Sequence, residues 1–129
     1  MILLVTLNQA SSLLDVNDTG NANQVGRNPN PQTITWQLSG NAASGDFVAM
    51  DLAEPGFAWT GTQPPAGIFG TPQVSGNGNQ ISFSDLNNSA STAGTFYYQL
   101  RATIGGVVYA TAVTPGLMAT TTNPRIINN

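Results

Sequence analysis

Thr95-Phe96-Tyr97-Tyr98-Gln99-Leu100-Arg101-Ala102-Thr103-Ile104 alternates strictly, and Gly105-Gly106 follows it. Phe96, Tyr98, Leu100, Ala102 and Ile104 fall on one side of a pleated chain. Thr95, Tyr97, Gln99, Arg101 and Thr103 fall on the other. A period of two over that length specifies a half-buried strand. The Gly-Gly pair supplies the positive φ angles of a tight hairpin turn, so the next strand, Val107 to Thr114, returns beside the first. In that register Ile104 faces Val107, Ala102 faces Tyr109, Leu100 faces Thr111 and Tyr98 faces Val113. The apolar sides then stay in phase.

Similar patterns lie upstream. Thr33 to Leu38 turns Ile34, Trp36 and Leu38 inward, and Gln80 to Ser84 does the same with Ile81 and Phe83. Gly76-Asn77-Gly78-Asn79 is a turn that folds Gln73-Val74 back onto Ile81. Asp46 to Leu52 reads as a strand with Phe47, Val48 and Met50 as its apolar members. Ile2 to Leu7 and Leu13 to Val16 read as one edge strand broken near Gln9-Ala10-Ser11. Asn17 to Gln32 reads as a long polar loop, and Arg125-Ile126-Ile127 as a short last strand. Pro55-Gly56 and Pro64-Pro65 mark loops or edges, because proline cannot donate to a ladder. About seven to nine short strands at turn spacing predict an all-β fold, a single antiparallel β-sandwich spanning residues 1–129.

Composition narrows the chemistry. Only 7% of the 129 residues are charged, against roughly 25% in an average soluble domain. Cysteine, histidine and lysine are absent. That excludes disulfides, thiol nucleophiles, imidazole bases, His- or Cys-held metals and lysine Schiff bases. Arg27, Arg101 and Arg125, against a net charge of −3, supply no basic patch for nucleic acid. Asparagine, glutamine, threonine and serine carry the polar surface instead. The N-terminal Met1-Ile2-Leu3-Leu4-Val5-Thr6-Leu7 has no basic segment before it and is shorter than a signal-peptide core. It reads as a first strand, of a protein that is cytoplasmic or exported without a cleaved leader, or of a mature form with Met added. No apolar run approaches the ~20 residues of a membrane helix.

Ile81-Ser82-Phe83-Ser84-Asp85-Leu86, a polar loop, and Ala93-Gly94-Thr95-Phe96-Tyr97-Tyr98 together resemble the E strand, E–F corner and F strand of an immunoglobulin-like domain. The Gly-Gly hairpin and Val107–Thr114 would then be the F–G turn and strand G. Asn123-Pro124-Arg125-Ile126-Ile127-Asn128 is similar to the closing strand of bacterial sandwich domains. Trp36 takes the place of an interior tryptophan, with no cysteine pair to pack on. The resemblance covers the chain from Ile81 onward. It implies a fold and carries no catalytic residue.

Three readings of function follow. The first is a non-enzymatic structural or interaction module that self-associates. Its surface would be the outward side of the hairpin, where Val108, Ala110, Ala112 and Thr114 lie opposite Thr103, Arg101, Gln99 and Tyr97. Sheets usually guard such surfaces with charge, and this one has little. Its competing reading is a face covered by the long N-terminal loop or by Pro115–Asn123. The second is a carbohydrate-binding, lectin-like module. Trp59, between turn residues, would stack on a sugar, with Tyr97, Gln99 and Arg101 as a second contact surface. The competing reading is that Phe57 and Trp59 plug one end of the sandwich. Calcium would assist through Asp15, Asn17 and Asp18, whose oxygens alternate before Gly20. The competing reading is a turn whose side chains bond their own backbone. Asp85, Asn87 and Asn88 form a second oxygen cluster, with a similar competing turn reading. The third is a small hydrolase using Asp46, Asp51 and Glu54, and these lack the spacing signature of a catalytic pair. The expectation is a protein without enzymatic activity.

Overall fold

The structure is a computed structural model, and it describes residues 1–113 and 124–129. The described residues are all-β, with two short 3-10 turns at Gly40–Ala42 and Ala90–Thr92. Among them no helix is long and apolar enough to cross a membrane. The expected run of the hairpin through Thr114, the Pro115–Asn123 cover and Asn123 of the closing strand lie outside the described residues.

Strands are numbered in chain order. One sheet has five: β1 (Ile2–Asn8), β2 (Leu13–Val16), β4 (Gln32–Leu38), β7 (Gln73–Ser75) and β8 (Gln80–Asp85), in the order β2-β1-β4-β8-β7. The other has six: β3 (Gln24–Val25), β5 (Asp46–Phe47), β6 (Phe57–Trp59), β9 (Gly94–Ile104), β10 (Val107–Ala110) and β11 (Arg125–Asn128). The two face each other across a shared core in a sandwich-like arrangement. They touch at both margins, through a Leu14–Thr111 bridge and a Phe47 N–H that donates to the Gly78 carbonyl at 2.8 Å.

The sheets are mixed, which corrects the purely antiparallel sandwich. β1 runs parallel to β4, and β11 parallel to β3. The first parallel pair follows from a second correction. Ile2–Asn8 and Leu13–Val16 are two antiparallel strands, not one broken strand. Between them the Ser12 N–H donates to the Asn8 carbonyl at 2.8 Å, and the Asn8 Oδ1 accepts from the Ala10 and Ser11 N–H groups. Asn8 thus closes the turn with its own side chain, and Ser12 takes a left-handed φ of 58°. β2 becomes the edge and β1 moves inward against β4.

β9 is the axis of the larger sheet, with partners along both edges. The hairpin register holds for Ile104–Val107 and Ala102–Tyr109, with Gly105 and Gly106 at φ of 59° and 81°. Thr111 still faces Leu100, donating its N–H to that carbonyl at 3.0 Å. The Tyr98–Val113 pair does not form, because the Tyr98 N–H donates to the Pro124 carbonyl and β11 takes over that edge. On the opposite edge lie β5 and β6. The strand expected from Asp46 to Leu52 stops at Phe47. Its chain loops out, and the Gly56 N–H returns to the Val48 carbonyl at 3.0 Å. That approach is so close that a Cβ at Gly56 would collide with the same carbonyl. β6 is then delivered beside β9. The expected Asn17–Gln32 loop likewise contains the short β3. The Val74–Ile81 pairing of β7 with β8 is as read from the turn signal.

Trp36 on β4 and Tyr98 on β9 are fully buried and meet at the centre of the sandwich. The Trp36 Nε1–H donates to the Tyr98 phenol oxygen at 2.9 Å. Their rings lie 5.0 Å apart, and Phe57 and Phe83 surround the indole at 5.2 and 5.1 Å. Edge-to-face contacts of this kind add to the large apolar area each ring buries. Burial pushes the Tyr98 phenol well above its usual range, its bond from Trp36 opposes that, and the Asp18 carboxylate adds to it.

Replacing Tyr98 with Phe keeps the ring and leaves the buried indole N–H without its acceptor. Equilibrium denaturation should show a loss of about 1–3 kcal/mol.

Candidate functional site

The residues proposed from sequence as a binding surface divide between two sides of β9. Phe57, Ala58 and Trp59 pair with Leu100, Gln99 and Tyr98. Phe57 and Trp59 therefore point inward, while Ala58 shares the outer side with Tyr97, Gln99 and Arg101. Trp59 is a strand residue, not a loop residue, and half-buried. Its ring meets Phe57 at 4.9 Å, Phe69 at 4.7 Å and Phe83 at 5.6 Å. It closes one end of the aromatic core. The structure does not bring it together with Tyr97, Gln99 and Arg101 as one sugar platform.

The outer side of the hairpin is partly engaged in its own sheet. The Arg101 guanidinium donates to the Pro55 carbonyl at 3.2 Å and to the Gln99 Oε1 at 2.6 Å. The Gln99 amide donates to the Thr111 carbonyl at 3.3 Å. Asp46 lies opposite Thr103, and Arg125 opposite Tyr97. This face thus carries Asp46, Arg101 and Arg125, more charge than its own strands suggested. Val107 and Val108 are exposed, at 51% and 58%, and Ala110 is half-buried. Ala112 is a correction: it is 1% exposed and unable to serve as an open interface. The isolated Leu14–Thr111 bridge beside it draws the end of this strand against β2.

Asp15, Asn17 and Asp18 lie at the end of β2 and just beyond it. Asp15 sits in the ladder opposite Thr6. The Asn17 Oδ1 accepts from the Thr19 hydroxyl at 2.8 Å, a bond between side chains rather than the side-chain-to-backbone bond of the turn reading. Among the described residues no group of three or more acidic side chains is placed to hold a metal ion. Asp46, Asp51 and Glu54 are all exposed. Asp51 and Glu54 stand in the loop between β5 and β6 rather than on a strand.

The outer side of the five-stranded sheet was not singled out from sequence. β4 and β8 turn Thr33, Thr35 and Gln37, and Gln80, Ser82 and Ser84, to this side. The registers align Ile2, Thr35, Ser82 and Gln73 in one row across four strands. Leu4, Gln37, Gln80 and Ser75 form the next. Ile2 and Leu4 are 62% and 41% exposed. Asp15, on β2, brings a carboxyl group to this side, and Asp18 stands just beyond the end of the same strand. Two depressions open on it. One, of about 450 Å³, is lined by Thr33, Gly70, Thr71, Gln73, Ser82, Phe83 and Ser84. The other, of about 370 Å³, lies between Leu4, Thr6, Asp15, Val16, Asn17, Asp18, Thr19 and Ser39. The alternation that points these side chains outward is visible in the sequence. Their union into one face depends on the parallel β1–β4 pair, which no local pattern announces.

No protein-family model and no curated protein matches the chain.

The two aromatic positions are separated by their energetics. Trp59→Ala should cost about 3 kcal/mol through loss of packing. Tyr97→Ala should cost less than about 1 kcal/mol, as a surface change. Denaturant midpoints of the two variants measure the difference.

Proposed function

We propose that this protein is a non-enzymatic structural or interaction module that self-associates through the sparsely charged outer face of its five-stranded sheet. The observation that carries the reading is the make-up of that face. Rows of serine, threonine and glutamine lie beside exposed Ile2 and Leu4, and the carboxyl groups, Asp15 and Asp18, stand at the β2 margin. Hydroxyls and amides both donate and accept, so such a face complements itself when a second copy is turned about a two-fold axis. With so little charge, two copies bring little electrostatic repulsion to the contact.

The scale of the contact sets its strength. Five strands spaced ~4.8 Å apart and about six residues long outline about 24 by 20 Å. That footprint is smaller than the ~800 Å² per partner of a standard stable complex. The expected association is therefore reversible and concentration-dependent, in the micromolar to millimolar range.

Sedimentation equilibrium tests it. The average mass should rise above the 13.4 kDa of one chain as concentration increases. Thr35→Lys, at the centre of the face, and Ser84→Lys, at an exposed position on it, should each weaken dimerisation about tenfold or more. That corresponds to about 1.4 kcal/mol. Val108→Lys, on the other sheet, should leave it unchanged. A wild-type monomer at millimolar concentration would refute the reading. So would dissociation by Val108→Lys with Thr35→Lys silent.

A further inference from the structure

At the end of the sandwich formed by β8, β11 and the Ala90–Thr92 turn, two buried side chains are joined by one hydrogen bond while each keeps a second polar atom without a partner. Asp85, the last residue of β8, is 0% exposed, and Asn128, on β11, is 3% exposed. The Asn128 Nδ2 donates to the Asp85 Oδ1 at 2.9 Å and to the Thr92 carbonyl at 3.1 Å. A main-chain carbonyl only accepts, so the amide nitrogen must be the atom on that side, and the orientation of Asn128 is fixed. That leaves the Asp85 Oδ2 and the Asn128 Oδ1, both buried and both without a partner. As long as Asp85 is ionised, these two oxygens are acceptors with nothing to accept. Each such buried orphan is costly, and a carboxylate most of all.

We infer that Asp85 is held as the neutral acid, its Oδ2–H donating to the Asn128 Oδ1, and that this two-bond acid–amide ring is a pH-sensitive clasp between the two sheets. A single proton turns one orphan into a donor and satisfies both. A hard cation would not, since two free oxygens fall well short of the six to eight that calcium takes. The surroundings favour the neutral form. Asp85 lies opposite Gln32 on β4 and is bridged to Phe69. Thr92 and Asn128 complete the side facing the other sheet. None of these ionises. On the packed elements the charged groups are Arg27, which follows β3 and donates to the main-chain oxygen of Asn129 at 3.0 Å, and Arg125, exposed at the far end of β11. Burial accordingly raises the Asp85 pKa, with the bond from Asn128 opposing it. The neighbouring Asn87 offers no competing donor. Its Nδ2 is committed to the Val25 and Asn129 carbonyls at 2.8 and 3.0 Å.

The sign of the effect follows from linkage. A carboxyl whose folded pKa is raised holds its proton in the folded chain after the unfolded chain has released it. Its stabilisation is complete below about pH 4, the unfolded value. It declines as pH rises to the folded pKa and is level beyond. Within that window the folding equilibrium constant falls by about tenfold per pH unit. As Asp85 ionises, the ring opens and β11 loses one of its ties to β8.

Asp85→Asn isolates the contribution of this one proton, because an amide at position 85 makes the same two bonds and does not titrate. Denaturation of wild type and D85N is measured from pH 3 to 9, so that the remaining carboxylates cancel in the difference. Wild type should show the decline above about pH 4, and D85N should lack it. Parallel profiles would overturn the inference. So would a wild-type advantage that grows with pH, the sign of an ionised Asp85 whose oxygens are bridged by buried water. Should D85N not fold, the carboxyl ¹³C resonance of Asp85 in the wild-type protein decides. A midpoint above about 4 supports the clasp, and one at or below 4 refutes it.

Discussion

The bond from the Trp36 indole to the Tyr98 phenol, with the rings packed around it, is the constraint on which the architecture depends. It joins the middle strand of one sheet to the central strand of the other. The phenol makes the indole tolerable in the interior. An indole N–H alone would be a buried donor without compensation, and the phenol oxygen supplies its acceptor. Phe57, Trp59, Phe69 and Phe83 then fill the space toward one end, each within about 5–6 Å of another ring. The position of β6 follows from this packing, since its inward residues are two of those rings.

Around that core the protein uses neutral amides and hydroxyls where many proteins use charges. The Asn41 side chain accepts from the Leu7 N–H at 3.0 Å and donates to the Leu7 carbonyl at 2.7 Å, standing in for a strand neighbour. Asn23 donates to the Arg125 carbonyl at 3.0 Å, and Asn87 ties the Val25 and Asn129 carbonyls together. These bonds fix β1, β3 and β11 where the main-chain ladders are short. Asparagine suits the task because one planar group both donates and accepts. The scarcity of charge and the abundance of asparagine are in this sense one property. The same chemistry left outward-facing gives the five-stranded sheet its sparsely charged surface, which the functional proposal builds on.

Local structure with a strong period was legible in the sequence, and long-range pairing was not. The β9 alternation, the Gly-Gly hairpin, the inward faces of β4 and β8 and the β7–β8 turn are each encoded within a dozen residues, and each stands in the structure. The β1–β2 turn was missed because it uses Asn8 and a left-handed Ser12 rather than glycine. β6 was missed because Pro55-Gly56 and Gly61 frame it as loop, while its strand character comes from the β9 edge it joins. Ala112 looked outward by alternation, which holds only while the strand stays in its ladder. The sparsely charged face had all its pieces visible as outward Thr, Ser and Gln. It escaped notice because assembling them needs the parallel β1–β4 register.

If the Trp36–Tyr98 contact anchors both sheets, it is the last part of the sandwich to open. Hydrogen exchange of the Trp36 indole proton, followed by NMR, probes that contact at its own atom. Exchange should proceed only through global unfolding, with a protection free energy equal to that from denaturation. An indole proton that exchanges much faster than the slowest β4 and β9 amides would contradict this.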